Sequence, residues 1–144
     1  MSAGISISEY FDKDRLTEDI YGISRWGDGL ITVLENGHIG LCQPDNPNNP
    51  PTDLTEIIKN LDQRGVTAPV LLRVTNFLRS RIDQINVSFN AAIDELAYKG
   101  KYRGVFPVKV NQQAPVVDRI VEFGRSYDFG LEVGSKAELL IALS

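Results

Sequence analysis

The sequence predicts the α/β fold class, with parallel strands connected by helices. From residue 53 to residue 144, short apolar segments alternate with longer segments of helical periodicity. This alternation places successive strands parallel in one sheet, with the helices as right-handed crossovers. A doubly wound sheet and the first units of a (β/α)8 barrel both satisfy the pattern, and a complete barrel needs about 250 residues. The residues alone leave these two architectures open.

A β-hairpin is predicted before these units, at residues 29–42. Two β-branched segments flank Asn36-Gly37, a pair that tolerates the positive φ angles of a tight turn. The Pro-, Asn- and Asp-rich segment that follows indicates a loop. We therefore divide the chain into an N-terminal segment with the hairpin, residues 1–52, and the first βα units, residues 53–144. The single His38 lacks the spacing of a metal site and is interpreted as structural.

Apolar periodicity and helix-start signals predict the remaining elements. Capping boxes at Asp53 with Glu56 and at Ser135 with Glu138 mark two helix starts. In chain order, the predicted elements are a helix at 53–64, a strand at 69–74, a core-facing helix at 77–97, a strand at 103–110, a helix at 115–124, a strand at 128–133 and a helix from Ser135. The chain ends in the apolar segment ELLIALS without a helix stop signal, so we expect it to be part of a longer or split protein.

Charge and composition exclude several classes of function. The net charge of −4 does not favour nucleic acid or an anionic membrane surface as a partner. A single cysteine, Cys42, cannot form an internal disulfide, which favours a reducing compartment. The N-terminus lacks the features of a signal peptide, and no apolar run approaches the roughly 20 residues of a membrane span. We expect a cytoplasmic protein.

The candidate reactive residue is Lys109, within GVFPVKVNQQ at residues 104–113. It is predicted to lie one residue from the carboxyl end of an apolar strand, where barrel enzymes collect their active-site groups. A lysine in a partly dry site loses proton affinity, and the neutral amine attacks carbonyl groups. The alternative is a lysine whose stem packs while its charged end reaches water, and the residue pattern alone favours this alternative.

Glu132, within FGLEVGS, repeats this pattern on the next predicted strand. If the two strands are neighbours, Glu132 and Lys109 lie at the same edge of the sheet. The carboxylate would then orient the amine or accept a proton from it. A purely structural ion pair is an equally good interpretation of the residues.

Two motifs, GVFPVKVNQ and GLEVGSKAEL, closely resemble the biosynthetic arginine decarboxylases, and YGISRWGDG and PVLLRV resemble the same group. The resemblance runs from Tyr21 to Ser144. It implies a pyridoxal-phosphate-binding (β/α)8 barrel preceded by a hairpin of a β-rich domain. By position, Lys109 corresponds to the lysine that binds the cofactor covalently, and Glu132 to an acidic residue near the cofactor. Phe106 and Val108 stand where tyrosine and isoleucine are expected, which are conservative differences.

The function that this resemblance implies is decarboxylation of L-arginine to agmatine and carbon dioxide, feeding putrescine and spermidine synthesis. It also implies pyridoxal 5'-phosphate and Mg²⁺ as cofactors and a homo-oligomer. We expect the 144-residue chain alone to be inactive. Three alternatives remain: another pyridoxal-phosphate-dependent decarboxylase of basic amino acids, a Schiff-base lyase without pyridoxal phosphate, and a noncatalytic α/β interaction module.

Overall fold

The computed structural model describes residues 20–144. Two compact units are present, with the boundary between Arg73 and Val74. The predicted division at residue 52 concerns the domains of the whole protein and stays a prediction.

An antiparallel sheet of three strands forms the centre of the first unit. The short helix α1, Ile23–Trp26, precedes strands β1, Ile31–Val33, and β2, Ile39–Leu41, which form the predicted hairpin. Gly37 adopts a φ of 79° in the turn, where a side chain would be strained. A third strand, β3 at Thr52–Asp53, pairs with β2 and was predicted as loop. Its two residues are too few to produce a recognisable pattern.

Helix α2, Leu54–Gln63, begins at the predicted cap. Asp53 Oδ1 accepts hydrogen bonds from the backbone N–H groups of Thr55, at 2.8 Å, and Glu56, at 3.3 Å. These bonds satisfy donors that have no partner inside the helix. Gly65, with a φ of 77°, follows the end of the helix as expected.

The predicted strand at residues 69–74 is wrong. This segment is irregular, and Leu71 is 72% exposed. A strand needs a neighbour that accepts and donates its backbone hydrogen bonds, and within residues 20–144 no strand pairs with this segment. An apolar run alone therefore did not specify a strand.

The second unit combines three helices with a parallel pair of strands. In chain order its elements are α3 at Thr75–Glu95, β4 at Val105–Pro107, a 3-10 turn at Val108–Val110, α4 at Ala114–Gly124, a 3-10 turn at Arg125–Tyr127, β5 at Gly130–Glu132 and α5 at Lys136–Leu143. Strands β4 and β5 are parallel neighbours, as predicted, with Phe106 opposite Leu131.

The core of this unit lies between α3, α4 and the strands. Ile82, Ile120 and Phe123 are buried there, and Phe106 and Leu131 pack against them. The predicted core-facing stripe of α3 is only partly buried. Ile82 belongs to the core, but Leu96 is 77% exposed. The periodicity identified the helix correctly, but α4 and the strands cover only part of its length.

Candidate active site at the carboxyl end of the parallel strands

The carboxyl ends of β4 and β5 lie side by side. Pro107, the last residue of β4, is opposite Glu132, the last residue of β5. The chain continues from Pro107 into the turn that carries Lys109, and from Glu132 through Gly134 into α5. We use the name strand-end site for Lys109, Glu132 and the further carboxylate of Glu138.

Lys109 does not lie inside a strand, which corrects the prediction. Strand β4 ends at Pro107, and Lys109 is the middle residue of the 3-10 turn that follows. Proline has no N–H group for further strand pairing, so the ladder ends early here. Val108 is 0% exposed, whereas Lys109 is exposed. The turn therefore buries its valine and directs the lysine to solvent instead of holding it in a dry site.

The backbone that carries Lys109 is nevertheless held on two sides. The buried side chain of Val108 anchors the turn from within the unit, and helix α5 contacts the same turn. Lys109 thus combines a fixed backbone with a side chain that solutes can reach.

Glu132 is half-buried at the end of β5. The parallel pairing brings it to the same edge as Lys109, as the sequence predicted. In the described part of the chain, however, the two side chains form no direct ion pair. The structure therefore places the two residues at one edge and leaves the role of Glu132 a prediction.

A second carboxylate at this edge, Glu138, was predicted only as part of a capping box. The cap is present, since Ser135 Oγ accepts a hydrogen bond of 3.2 Å from the N–H of Glu138. Glu138 Oε2 accepts a second hydrogen bond, of 2.7 Å, from the N–H of Gly134. A Cβ atom added to Gly134 would lie 3.6 Å from Glu138 Oε2 and 3.7 Å from Glu132 Oε1, so the two carboxylates flank this glycine.

The charge of Glu138 is stabilised by its surroundings. The hydrogen bond from the N–H of Gly134 is the largest cause that lowers the pKa of Glu138, and desolvation opposes it. Contacts with Ser135 and the positive charge of Lys109 lower this pKa further. Glu138 is therefore ionised at neutral pH and attracts Lys109. The signal in the sequence was the N3 position of the capping box, whose side chain turns back toward the strand end.

The strand-end site can perform amine chemistry. An accessible primary amine bonds to the carbonyl carbon of an aldehyde, and neighbouring carboxylates stabilise positive charge on its nitrogen.

Among residues 20–144, no group of three or more His, Cys, Asp or Glu side chains is arranged to hold a metal ion. The described helices also include none that is long and apolar enough to cross a membrane.

Comparisons with known proteins agree with the resemblance found in the sequence. No family model matches the chain. The chain is 45% identical over 125 residues to a biosynthetic arginine decarboxylase of Prochlorococcus marinus (strain MIT 9303), which is 87% of the chain and 19% of that protein. It is 46% identical over 125 residues to that of Synechococcus sp. (strain RCC307) and 43% over 126 residues to that of Gloeobacter violaceus. The chain spans about 19% of the length of these curated relatives.

A solved structure shows the same relationship. The crystal structure of the biosynthetic arginine decarboxylase of Campylobacter jejuni matches with a TM-score of 0.77 and 36% sequence identity. The match covers 85% of this chain and 20% of that one. The chain is therefore similar in sequence and in α/β fold to a segment of biosynthetic arginine decarboxylases that makes up about one fifth of their length.

Proposed function

We propose that this chain supplies the cofactor-binding lysine of a pyridoxal-phosphate-dependent arginine decarboxylase, which converts L-arginine to agmatine and carbon dioxide. The observation that carries the proposal is the position of Lys109, at the carboxyl end of β4, in a chain similar to arginine decarboxylases over 87% of its length. The proposed setting is the first part of a (β/α)8 barrel, with the hairpin of residues 29–42 in a β-rich domain.

The residues of the strand-end site fit such a cofactor. Pyridoxal phosphate binds through its aldehyde to a lysine amine, and Lys109 offers an exposed amine on a turn that Val108 anchors. When bound, the cofactor supplies a conjugated ring that takes up the electron pair released as the carboxyl group leaves. Lys109 Nζ would bind the cofactor and later carry a proton. Glu132 would stand beside the cofactor and orient it.

Other parts of the proposal depend on the resemblance alone. These are the substrate L-arginine, the supply of agmatine to putrescine and spermidine synthesis, a homo-oligomer and a cytoplasmic location. Mg²⁺ as a further cofactor also depends on the resemblance alone.

The test is covalent trapping of the cofactor on the chain. Pyridoxal phosphate is added, and borohydride reduces the carbon–nitrogen double bond between the lysine and the cofactor to a stable single bond. The labelled peptide is then identified by mass spectrometry. We expect the label on Lys109 and its loss in Lys109→Ala. The matched control is Lys136→Ala, which removes another exposed lysine near the same strand edge and should keep the label. A label mainly on a lysine other than Lys109 would contradict the proposal.

A further inference from the structure

We propose that Glu138 is a positioning residue for Lys109, because its carboxylate is fixed where it can hold the positively charged side-chain nitrogen of Lys109 at the strand edge. The catalytic meaning of this inference rests on the proposed function. The proposed contact does not: it is not among the ion pairs that the described residues form in the structure, and it can be measured separately.

The position of the Glu138 carboxylate is set by backbone atoms. Its Oε2 accepts the 2.7 Å hydrogen bond from the N–H of Gly134, and its own N–H donates to Ser135 Oγ at 3.2 Å. Helix α5, which begins here, contacts the 3-10 turn that carries Lys109. The carboxylate is therefore already in place before the flexible lysine side chain reaches it, which lowers the entropic cost of the contact.

The chemistry favours a role as counter-charge over a role as proton acceptor. A carboxylate whose ionised form is stabilised by the N–H of Gly134 is a weak base. The nitrogen of Lys109 carries positive charge as a free ammonium group. It also carries positive charge after it condenses with an aldehyde and releases water, when the carbon–nitrogen double bond is protonated. The same fixed carboxylate would hold the nitrogen in both situations.

Glu132, the acidic residue that the sequence pointed to, is less well fixed. It lies at the end of β5, but its side chain forms no hydrogen bond or ion pair with another described residue. Two carboxylates thus flank Gly134, and only that of Glu138 is anchored. This difference makes Glu138 the better candidate for positioning Lys109.

Carbodiimide cross-linking tests the contact directly, because this reagent joins neighbouring amines and carboxylates without a spacer. We expect mass spectrometry to find a Lys109–Glu138 amide in the wild-type chain and to find it absent in Glu138→Gln. The exposed pair of Lys59 and Glu56, 2.8 Å apart, is the internal positive control. Cross-linking of Lys59 to Glu56 without any Lys109–Glu138 product, or Lys109 joined only to Glu132, would overturn the inference.

Trapping of pyridoxal phosphate then tests whether the contact matters for the proposed function. Glutamine at position 138 still accepts the hydrogen bond from Gly134, so Glu138→Gln should keep its melting temperature while trapping on Lys109 falls by about two- to fivefold, the range for a partly exposed ion pair. Glu122→Gln, which changes an exposed glutamate of α4 outside the strand-end site, is the matched control and should leave trapping unchanged. Unchanged trapping in Glu138→Gln would overturn the inference. If wild-type Lys109 traps no cofactor, the proposed function fails and the cross-link still decides the role of Glu138.

Discussion

His38 Nδ1 lies 2.7 Å from Asp53 Oδ2, and this contact connects the turn of the hairpin to the start of helix α2. Asp53 uses its other oxygen to cap the helix, and Asn36 donates a hydrogen bond of 3.2 Å to the oxygen that faces His38. One carboxylate therefore holds together two elements of the first unit. The sequence indicated no functional partner for His38, and the structure shows that its partner is the helix-capping residue Asp53.

This arrangement predicts how acid affects the first unit. Desolvation alone would raise the pKa of Asp53, but hydrogen bonds from His38, Asn36 and two backbone N–H groups lower it from 3.8 to about 2. A lowered pKa means that the stabilisation is complete above pH 3.8 and is lost as the pH falls through about 2. Melting curves should show Asp53→Asn less stable than wild type near neutral pH, with the difference shrinking toward pH 2. A difference independent of pH would contradict this.

Phe129 leaves no room for a side chain at Gly104. A Cβ atom at Gly104 would lie 2.5 Å from Phe129 Cδ2, and the ring packs against the core and cannot move away cheaply. Gly104→Ala is expected to lower the free energy of unfolding by about 1–3 kcal/mol, measured by urea denaturation. The control is Gly130→Ala in the paired strand, where the nearest atom is Val105 Cγ1 at 3.5 Å. Equal losses in the two variants would show that overpacking is not the cause.

The core of the second unit gives a contrast between neighbouring residues of α4. Ile120 is buried against Ile82 and Phe123, whereas Val121, the next residue, is 41% exposed. Ile120→Ala should cost about 2–5 kcal/mol of unfolding free energy, because it leaves a cavity. Val121→Ala should cost less than about 1 kcal/mol. Chemical denaturation of both variants measures the difference in unfolding free energy. Similar costs would mean that Ile120 and Val121 are buried to a similar extent, which contradicts this orientation of α4.

The sequence predicted the fold best where a local rule acts on a few residues. The cap at Asp53, the turn at Gly37 and the cap at Ser135 each depend on chemistry within three residues, and all three are present. The end of β4 depends instead on pairing with β5, so periodicity extended the strand past Pro107 and misplaced Lys109. Segment 69–74 failed for the same reason, since apolar residues do not reveal whether a partner strand exists.

The candidate site shows the same limit. The edge shared by Lys109 and Glu132 followed from parallel connectivity, which the sequence pattern predicts well. The place of Glu138 depends on which way the first turn of α5 directs its side chain relative to Gly134. A capping box accounts for that residue fully in a sequence, so the pattern predicts no further role for it.

A hydrogen bond between helix α3 and the turn after α4 provides a last test of the second unit. Tyr127 Oη donates to Asp83 Oδ1 at 2.9 Å, between residues 44 positions apart. Tyr127→Phe removes the donor and should lower the free energy of unfolding by about 1 kcal/mol in urea denaturation. Tyr98→Phe, which alters an exposed tyrosine, is the matched control and should have little effect.

The same bond makes a prediction at alkaline pH. The hydrogen bond to Asp83 raises the pKa of Tyr127 above 10, and desolvation and the charge of Asp83 act in the same direction. A raised pKa means that the stabilisation is complete below pH 10 and is lost as the pH rises through the folded-state pKa. The difference in melting temperature between wild type and Tyr127→Phe should therefore disappear at strongly alkaline pH. If it persists there, the hydrogen bond to Asp83 is not the source of the difference, because an ionised phenol has no proton to donate.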